Sequence, residues 1–575
     1  MSSLTPAVLL FAAMALAHGG ESSTMSMGAE NHTVDTPEEP QTPNSYFNYP
    51  KHSGALFAHI VIMCVAWVVS LPVAVMFSIA RSRFTIVSQL VFGALNALGV
   101  FIAIGYNAST PDLYPNNAHH KLGWIVTVTL TTQFAIGIVG KLAGVLQGLA
   151  KPHTQQYEQV AFIPTESSSQ QLRSPGPYRL SDDSGHSTVH SSSSHSRSSS
   201  ASTVAEHAQY ELNNMHKEHF DEEEDVGFAS GPAFIPGSAT KWTRASETIA
   251  GFFSARVWRI FAVYYDAVDR VILPLGFVTL ACGIVTVGRF FEDTRIYSGL
   301  AHWIKGGIFF WLGLLTLGRW SGSFGDFGWA WNIRPRRAGQ GWRPTAEFTE
   351  SFLIFVYGIT NVFLEHLGSQ DGVWTHQDLE HLSITILFIG GGACGMLIES
   401  SVVRELLNTT VDESISVSEG LMVDRERGEI EKPGQYSFSM NPIPAVVILL
   451  LGIMMSSHEQ PSMISTMVHK QWGDLLAAAS FSRALTYIIL WLRPPTSVYP
   501  SRPPTELLTS FGLIAGGLIF MASASDTVDA IIRNQLDAMF LYTVTMGIVG
   551  LLMAWVLFVL ALKGWAVRKE KAWRA

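Results

Sequence analysis

Eleven stretches of the chain are long and apolar enough to predict membrane-spanning helices. A helix rises about 1.5 Å per residue, so roughly 20 mostly apolar residues are needed to cross the hydrocarbon core of a bilayer. The alternation expected for strands of a membrane barrel does not occur in these stretches, which favours helices. The stretches cover residues 55–80, 84–106, 120–145, 268–290, 300–320, 348–366, 381–403, 442–457, 472–492, 507–525 and 539–562, and the eighth is the shortest.

Composition points to the same class of protein. Of the 575 residues, 48% are apolar and 14% are charged, which is too apolar for an ordinary soluble protein and too long for one core. The net charge of −9 is concentrated in a polar stretch at 221–225, and no basic footprint for nucleic acid is present in the sequence. The prediction is an all-α polytopic membrane protein whose main partner is the lipid bilayer, with no nucleic acid bound. The cysteines, Cys64, Cys282 and Cys394, fall inside apolar stretches and are expected to pack rather than form disulfides.

The ends of the apolar stretches divide the chain into segments. An apolar run ending in Ala15-Leu16-Ala17 is typical of a signal-peptide cleavage site, so residues 1–17 are predicted to be a signal peptide and 18–54 a flexible extracytoplasmic tail. Residues 147–254 contain serine runs that cannot bury enough apolar surface to fold, which predicts a disordered cytosolic linker open to phosphorylation. The linker separates a three-helix region, 55–146, from an eight-helix membrane domain, 255–565, and residues 566–575 form a tail.

The basic residues of the short loops predict the orientation, because lysine and arginine concentrate on the cytosolic side. With the mature N terminus outside and eleven helices, the C terminus is cytosolic. This orientation predicts a multi-pass protein of the secretory pathway, in the endoplasmic reticulum, vacuole or plasma membrane, with the sequon at Asn107 outside in a loop at 105–118. The basic residues then assigned to the cytosol are Arg81, Arg83, Arg319, Arg334, Arg336, Arg337, Arg343, Arg493, Arg502, Lys563, Arg568, Lys569 and Lys571.

Histidines gather at one side of the membrane in this orientation. Imidazole binds haem iron and transition metals, although polar side chains at helix ends also simply mark the membrane interface. Both interpretations stay open for each histidine. The nine residues predicted outside are His59, His119, His120, His302, His366, His376, His381, His458 and His469.

The front histidines have the spacing of a haem or metal site. His59, Met63 and Trp67 recur every fourth residue and therefore share one helix face, while His119 and His120 open the third stretch. Two imidazoles at equal depth can be the two axial ligands of a haem iron, or can share a small metal ion. The glycines that would let a porphyrin approach closely are Gly93, Gly99, Gly105 and Gly123.

The same residues resemble the cytochrome b561 superfamily. Residues 58–63 with Trp67, Leu71-Pro72 and Arg81 are similar to its first core helix, and residues 119–123 are similar to its third. The resemblance implies four helices with alternating histidines and one haem towards each membrane face. The whole chain, including residues 301–307 and 328–332, resembles more specifically the fungal YTP-type membrane proteins.

The chain departs from the superfamily pattern at the cytosolic side, because the second and fourth helices supply no histidine there. The resemblance then implies at most one b-type haem, on the outer side, held by His59 and by His119 or His120. His302 is a further candidate ligand. The residues at the cytosolic positions are instead Gln89, Val91 and Asn96 in the second helix and Tyr264, Tyr265, Asp266 and Asp269 in the fourth.

A second group of histidines lies in the back half of the chain. Histidine with neighbouring carboxylates suits zinc or iron, and the nearby methionines also suit copper, but the spacing matches no recognised zinc signature. Clustered polar residues at the interface are the alternative interpretation. The predicted metal ligands are His366, His381, His458 and His469, with Glu365, His376 and Glu380 beside them, and His302 can belong to either group.

Three classes of function follow from these patterns. The first is a haem- or metal-binding redox protein acting at the extracytoplasmic face on a small metal ion or reductant; whether it is an enzyme, such as a metal reductase, stays open. No glycine-rich nucleotide fingerprint occurs in the sequence, so this class needs a cytosolic or membrane electron donor. The second is a transporter or sensor of zinc, copper or iron, for which Glu399, Asp474, Asp526 and Asp529 lie too near helix ends to form an acidic path. The third is a non-catalytic scaffold regulated by phosphorylation of the linker.

Overall fold

The computed structural model describes residues 45–150, 255–292, 295–335, 343–366, 376–418, 438–457 and 460–574. Within these ranges the regular structure is helical, with short 3-10 turns at Tyr46–Asn48 and Gly325–Phe327. The helices are α1 (Ser53–Ile79), α2 (Thr85–Ser109), α3 (Ala118–Ala150), α4 (Ala255–Gly288), α5 (Ile296–Ser321), α6 (Ala346–His366), α7 (His376–Glu399), α8 (Ser401–Leu407), α9 (Thr409–Ser418), α10 (Ile443–Ser456), α11 (Met463–Leu492), α12 (Pro504–Ala522), α13 (Ser525–Arg533) and α14 (Ala538–Arg574).

A helix occurs at each of the eleven predicted stretches. Among the described residues, nine helices are long and apolar enough to cross a bilayer, namely α1–α5, α7, α11, α12 and α14. The remaining two are α10, which has only 14 residues, and α6, which carries Glu347, Glu350 and Asn361. Large apolar side chains such as Phe101 and Leu551 are exposed on the outer faces of the helices, as expected for surfaces in contact with lipid. The chain is therefore an all-α polytopic membrane protein.

Several predicted boundaries change in the structure. The helix α2 continues to Ser109, so Asn107 lies in its last turn and not in a loop as predicted. The helix α4 begins at Ala255, earlier than the predicted residue 268, and α14 continues through most of the predicted C-terminal tail. The predicted signal peptide, the tail before residue 45 and the linker from 151 to 254 lie outside the described residues, so the scaffold hypothesis stays a prediction.

Proline explains the irregular middle of α1. Pro72 has no amide hydrogen, so it cannot donate the usual helical hydrogen bond to the carbonyl of Val68. The helix widens to a π-helical segment at Val65–Ser70 just before it. The indole Nε1 of Trp555 in α14 lies 2.9 Å from the Val68 oxygen and donates to it. A neighbouring helix thus satisfies a carbonyl that lipid could not.

The C-terminal end of α14 also holds the loop between α1 and α2. The Glu570 carboxylate accepts hydrogen bonds from the Ser82 hydroxyl at 3.2 Å and from the Arg83 amide at 3.1 Å. The Trp565 ring stacks against Phe84, with centroids 5.9 Å apart. These contacts join the last helix of the chain to the first helical hairpin.

Glycines allow close helix packing in the C-terminal half. A Cβ added at Gly306 in α5 would lie 2.5 Å from the backbone oxygen of Gly517 in α12, and a Cβ at Gly452 in α10 would lie 2.6 Å from the Gly473 oxygen in α11. Small residues at such crossings let helix backbones approach closely in a membrane. Beside them Trp472, which is fully buried, stacks on Phe520 with centroids 4.0 Å apart. The core of α5, α7, α10, α11, α12 and α14 is built around this stack.

Contacts group the described residues of Met1–Phe134 and Ala262–Ala575 into one compact unit and those of Ala135–Phe261 into another. The first unit contains the histidines near the starts of α1, α3, α5 and α11. His59, His302 and His469 each lie six residues after the first residue of their helix.

Candidate functional site

The structure brings His59 and His119 together. The ring centroids lie 6.3 Å apart and the ring planes are inclined by 74°. His120, the other candidate from the third stretch, is exposed, and its backbone amide donates to the Asn117 side chain at 3.0 Å. Of the two candidates that the sequence leaves open, His119 is the one whose ring lies beside His59.

Backbone carbonyls orient both imidazoles. The Nδ1 of His59 lies 2.9 Å from the carbonyl oxygen of Gly99 in α2, and the Nδ1 of His119 lies 3.1 Å from that of Thr279 in α4. A carbonyl oxygen can only accept, so each Nδ1 carries the hydrogen. In this neutral tautomer the lone pair is on Nε2, and Nε2 is the nitrogen that can bind a metal.

The surroundings of the pair follow the predicted helix face. Met63 packs against Gly99, where an added Cβ would lie 2.9 Å from the methionine sulfur, and the indole Nε1 of Trp67 donates to Asn96 at 3.0 Å. An added Cβ at Gly283 in α4 would lie 3.1 Å from Cε1 of His119, so this glycine makes room for the imidazole. Of the glycines predicted to admit a porphyrin, Gly93, Gly105 and Gly123 have no atom within 4 Å of an added Cβ.

At the opposite end of α1–α4, polar side chains bind one another. Gln89 donates to the Tyr265 hydroxyl at 2.8 Å, and the Tyr265 and Ser78 hydroxyls are 3.1 Å apart. Ser78 donates to one Asp269 oxygen at 2.6 Å, and Gln133 donates to the other at 2.7 Å. This end is where the b561 resemblance would place the second pair of histidines, and the chain has a hydrogen-bonded network there.

A second histidine pair forms between α5 and α11. The ring centroids of His302 and His469 lie 5.9 Å apart with planes inclined by 87°. Each Nδ1 donates to a carbonyl one turn earlier in its own helix, to Ser298 for His302 and to Ser465 for His469, at 2.8 Å in both cases. His302 thus lies with the back-half histidines and not with His59.

The other predicted metal ligands are placed only in part. His381 lines the same cavity as His302 and His469. The side chain of His366 and the whole of His458 lie outside the described residues, as does the side chain of His376. Among the residues that are described, no group of three or more histidine, cysteine or acidic side chains is close enough to hold one metal ion.

A cavity of about 1500 Å³ extends from the second histidine pair along the helices. Its lining on α5 runs from Ser298 to Leu315, which corresponds to about 26 Å at 1.5 Å per residue. Most of the lining is apolar, including Phe309 and Phe388, and Glu350 of α6 lines its far end. The cavity therefore spans much of the thickness of a bilayer.

Glu350 belongs to a group of five buried charged side chains. We call the group the charge cluster; its members are Arg319 in α5, Glu347 and Glu350 in α6, Arg483 in α11 and Glu506 in α12, each at most 4% exposed. Arg319 binds Glu347 at 2.8 Å and Glu350 at 2.9 Å. Arg483 binds Glu350 at 2.9 Å and Glu506 at 3.0 Å.

The charge cluster corrects the sequence analysis at two points. Arg319 was assigned to a basic cytosolic loop, but it is 2% exposed in the last turn of α5, where its guanidinium also lies 4.4 Å from the Trp331 ring. The acidic residues considered for an acidic path were Glu399, Asp474, Asp526 and Asp529, and the buried Glu347, Glu350 and Glu506 were not among them. The sequence signal that was available is the three-residue spacing of Glu347 and Glu350 at the start of an apolar stretch.

Comparisons with known proteins place the chain among fungal membrane proteins. Residues 275–564 match the family described as Protein YTP1-like, C-terminal, and residues 40–143 match a domain of unknown function, DUF2427. An uncharacterized membrane protein of Schizosaccharomyces pombe is 34% identical over 563 residues, covering 93% of this chain and 98% of that protein. An uncharacterized membrane protein of Saccharomyces cerevisiae is 41% identical over 313 residues, covering 51% of this chain and 47% of its own length.

Protein YTP1 of Saccharomyces cerevisiae is similar over a shorter range, with 22% identity over 187 residues and 32% of each chain covered. The match in the N-terminal region is to a domain without an assigned function, so the b561 resemblance stays a prediction. The family match covers half of the chain, and the relative from Schizosaccharomyces pombe is aligned nearly end to end. The chain therefore belongs to the YTP1-like family of multi-pass membrane proteins.

Proposed function

We propose that the chain is a membrane redox protein that holds one b-type haem between His59 and His119 at the extracytoplasmic face. The observation that supports the proposal is the pair of imidazoles 6.3 Å apart, each anchored through Nδ1 to a backbone carbonyl. Such anchoring leaves Nε2 as the ligand atom on both rings and limits rotation of the rings.

The spacing of the pair fits one iron. Two imidazoles that bind an iron from opposite sides have centroids roughly 6 Å apart, because each bond is about 2 Å long and the nitrogen lies about 1 Å from its ring centre. Two imidazoles are the complete set of protein ligands for such a haem, since the porphyrin supplies four more nitrogens. Zinc would need three or four ligands from the protein.

The roles of the residues follow from their contacts. His59 and His119 would be the axial ligands, Gly99 and Thr279 orient them through their carbonyls, and Gly283 provides space for the His119 ring. A haem bound there would supply reversible one-electron transfer. The opposite end is occupied by the hydrogen-bonded network of Ser78, Gln89, Gln133, Tyr265 and Asp269. The proposal therefore contains one haem. A small reductant or a membrane partner would exchange electrons with this haem at the outer face.

The test is the difference spectrum between the dithionite-reduced and the oxidised purified protein, with iron measured on the same sample. The wild type is expected to give a sharp b-type band and about one iron per chain. His59→Ala and His119→Ala are each expected to abolish the band. His120→Ala is the matched control, because this neighbouring histidine is exposed, and it should keep the band. A wild type without a Soret band, or an unchanged spectrum in His59→Ala, would contradict the proposal.

A second candidate function is metal-ion transport through the large cavity. The observation that favours it is the position of the His302 and His469 pair beside a cavity that runs about 26 Å along α5 to a carboxylate. Imidazole and carboxylate suit zinc, copper or iron. In cells that overproduce the protein, His302→Ala is expected to reduce accumulation of the transported ion while His120→Ala does not. Equal zinc, copper and iron contents in the two variants would remove this candidate.

A further inference from the structure

The charge cluster has unequal numbers of acids and bases. It contains the three carboxyl groups of Glu347, Glu350 and Glu506 and the two guanidinium groups of Arg319 and Arg483. Arginine stays protonated in proteins, so three ionised carboxylates would leave one negative charge in excess. A buried charge without compensation is strongly disfavoured, and a carboxyl group avoids it by taking up a proton.

The hydrogen bonds identify the carboxyl group that is least stabilised as an anion. Both oxygens of Glu350 accept bonds from arginine, at 2.9–3.2 Å. Glu506 has no exposed surface and accepts one bond, from Arg483 to Oε2, while its Oε1 is buried with no partner among the described groups. An ionised carboxylate favours several donors, and Glu506 is the carboxyl group of the charge cluster that has a buried oxygen without one.

The groups that face Glu506 come from three neighbouring helices. Arg483 of α11 binds Glu506 directly and also binds Thr316 of α5 and Glu350 of α6, while Arg319 and Glu347 are joined to this group through Glu350. The helix α14, which also packs against α12, carries no lysine, arginine, histidine, aspartate or glutamate between residues 538 and 562. The charged groups bonded to Glu506 and to its partners therefore belong to the charge cluster; Arg334 and Arg343 line a cavity with Arg319 and Glu347, and Glu506 is not part of that lining.

Two cavities meet the charge cluster from different sides. Glu350 lines the large cavity that extends towards His302. Arg319 and Glu347 line a second cavity of about 230 Å³, whose other lining includes Trp329, Arg334 and Arg343 from the segment between α5 and α6. Arg483 joins the two regions, because it binds Glu350 through Nη1 and Glu506 through Nη2. Glu506 lines neither cavity and is linked to the large cavity through Arg483 and Glu350.

We propose that the charge cluster is a proton-binding site on a transmembrane proton path, with the proton carried on Glu506. A proton that enters from the large cavity reaches the charge cluster at Glu350, neutralises the carboxylate of Glu506, and leaves through the small cavity at Glu347. No bond other than O–H is made or broken, and the arginines keep their charge. The path is independent of the histidine pair at His59.

Proton movement can be measured in liposomes that contain the purified full-length protein and a trapped pH-sensitive dye. A potassium gradient with valinomycin makes the interior negative and drives protons inwards. The wild type is expected to acidify the interior at least several-fold faster than protein-free liposomes, and Glu506→Gln is expected to fall to the protein-free rate. The matched control is Asp474→Asn on α11, an acid-to-amide change at a side chain that is 58% exposed, which should keep the wild-type rate.

A folding measurement on the same variants makes the result decisive. Glutamine has the shape of a protonated glutamate, so Glu506→Gln is expected to keep the wild-type melting temperature and b-type spectrum, whereas Glu350→Gln should lower the melting temperature. A wild-type rate in Glu506→Gln, or no acidification above protein-free liposomes in the wild type, would overturn the path. A drop in melting temperature in Glu506→Gln as large as that in Glu350→Gln would show that Glu506 is ionised and would overturn the proton site.

Discussion

His59 and His119 meet with ring centroids 6.3 Å apart although their helices are separated in the chain by the whole of α2. Neither ring is oriented by its own helix, because the carbonyl that accepts from His59 belongs to α2 and the one that accepts from His119 belongs to α4. All four helices therefore define the geometry of the pair. A change in α4 that leaves both histidines in place should still disturb the pair.

Gly283→Val should weaken the proposed haem site without removing either histidine. A Cβ at this position would lie 3.1 Å from Cε1 of His119, so the valine side chain would push the ring away from the Thr279 carbonyl. We expect the b-type absorbance per chain to fall several-fold while the protein still purifies as a folded species. Gly123→Val is the matched control, because it makes the same substitution where an added Cβ meets no atom within 4 Å, and it should keep the absorbance. Equal spectra for the two variants would contradict the packing of Gly283 against His119.

Glu350→Gln should destabilise the fold strongly. The residue compensates two buried guanidinium groups, and breaking a buried ion pair by removing one partner typically costs about 3–5 kcal/mol. We expect a clearly lower melting temperature in detergent. Asp474→Asn, which removes an exposed pair with Lys470, should leave the melting temperature within error. A Glu350→Gln protein as stable as the wild type would mean that the charge cluster is not assembled as described.

Gly306→Ala should separate α5 from α12. The added methyl group would lie 2.5 Å from the Gly517 backbone oxygen, so the two helices must move apart, at a cost of about 1–3 kcal/mol. Thermal unfolding in detergent would detect the loss. Gly547→Ala in α14 meets no atom within 4 Å and should be neutral or slightly stabilising, because alanine favours helix more than glycine.

Trp555→Phe should cost about 1 kcal/mol, because it removes the indole donor to the Val68 carbonyl. The effect should depend on Pro72. In a Pro72→Ala background the residue at 72 regains an amide hydrogen and can donate to Val68 within the helix, so Trp555→Phe should then have little effect on the melting temperature. Additive effects of the two substitutions, measured as a double-mutant cycle, would mean that the bond does not compensate for the proline.

The membrane helices were predictable because each depends on a local property, the length of an apolar stretch. Their ends were less predictable. The helix α4 starts before its apolar stretch, and α2 continues through Asn107. His59 was found because its four-residue spacing to Met63 and Trp67 is visible in the sequence.

The charge cluster was missed because its balance exists only in three dimensions. Arg319, Glu350 and Arg483 are each unremarkable near the ends of apolar stretches, and Glu350 is 31 residues from Arg319 and 133 residues from Arg483 in the chain. The pairing of His302 with His469 was likewise undecided, because it depends on how α5 packs against its neighbours. The prediction of the orientation counted lysine and arginine as loop residues. This assumption fails for Arg319, because carboxylates on another helix neutralise its charge.

The contacts of α14 also bear on biosynthesis. Trp555 follows Val68 by 487 residues, yet α14 supplies a donor for Val68 and the acceptor for the Ser82 and Arg83 loop. Until α14 inserts, the Val68 carbonyl lacks the indole donor and the turn between α1 and α2 is untethered. A nascent chain truncated before Trp555 would therefore leave an incomplete first hairpin in the lipid, so helices made early complete their packing only after α14 has been made.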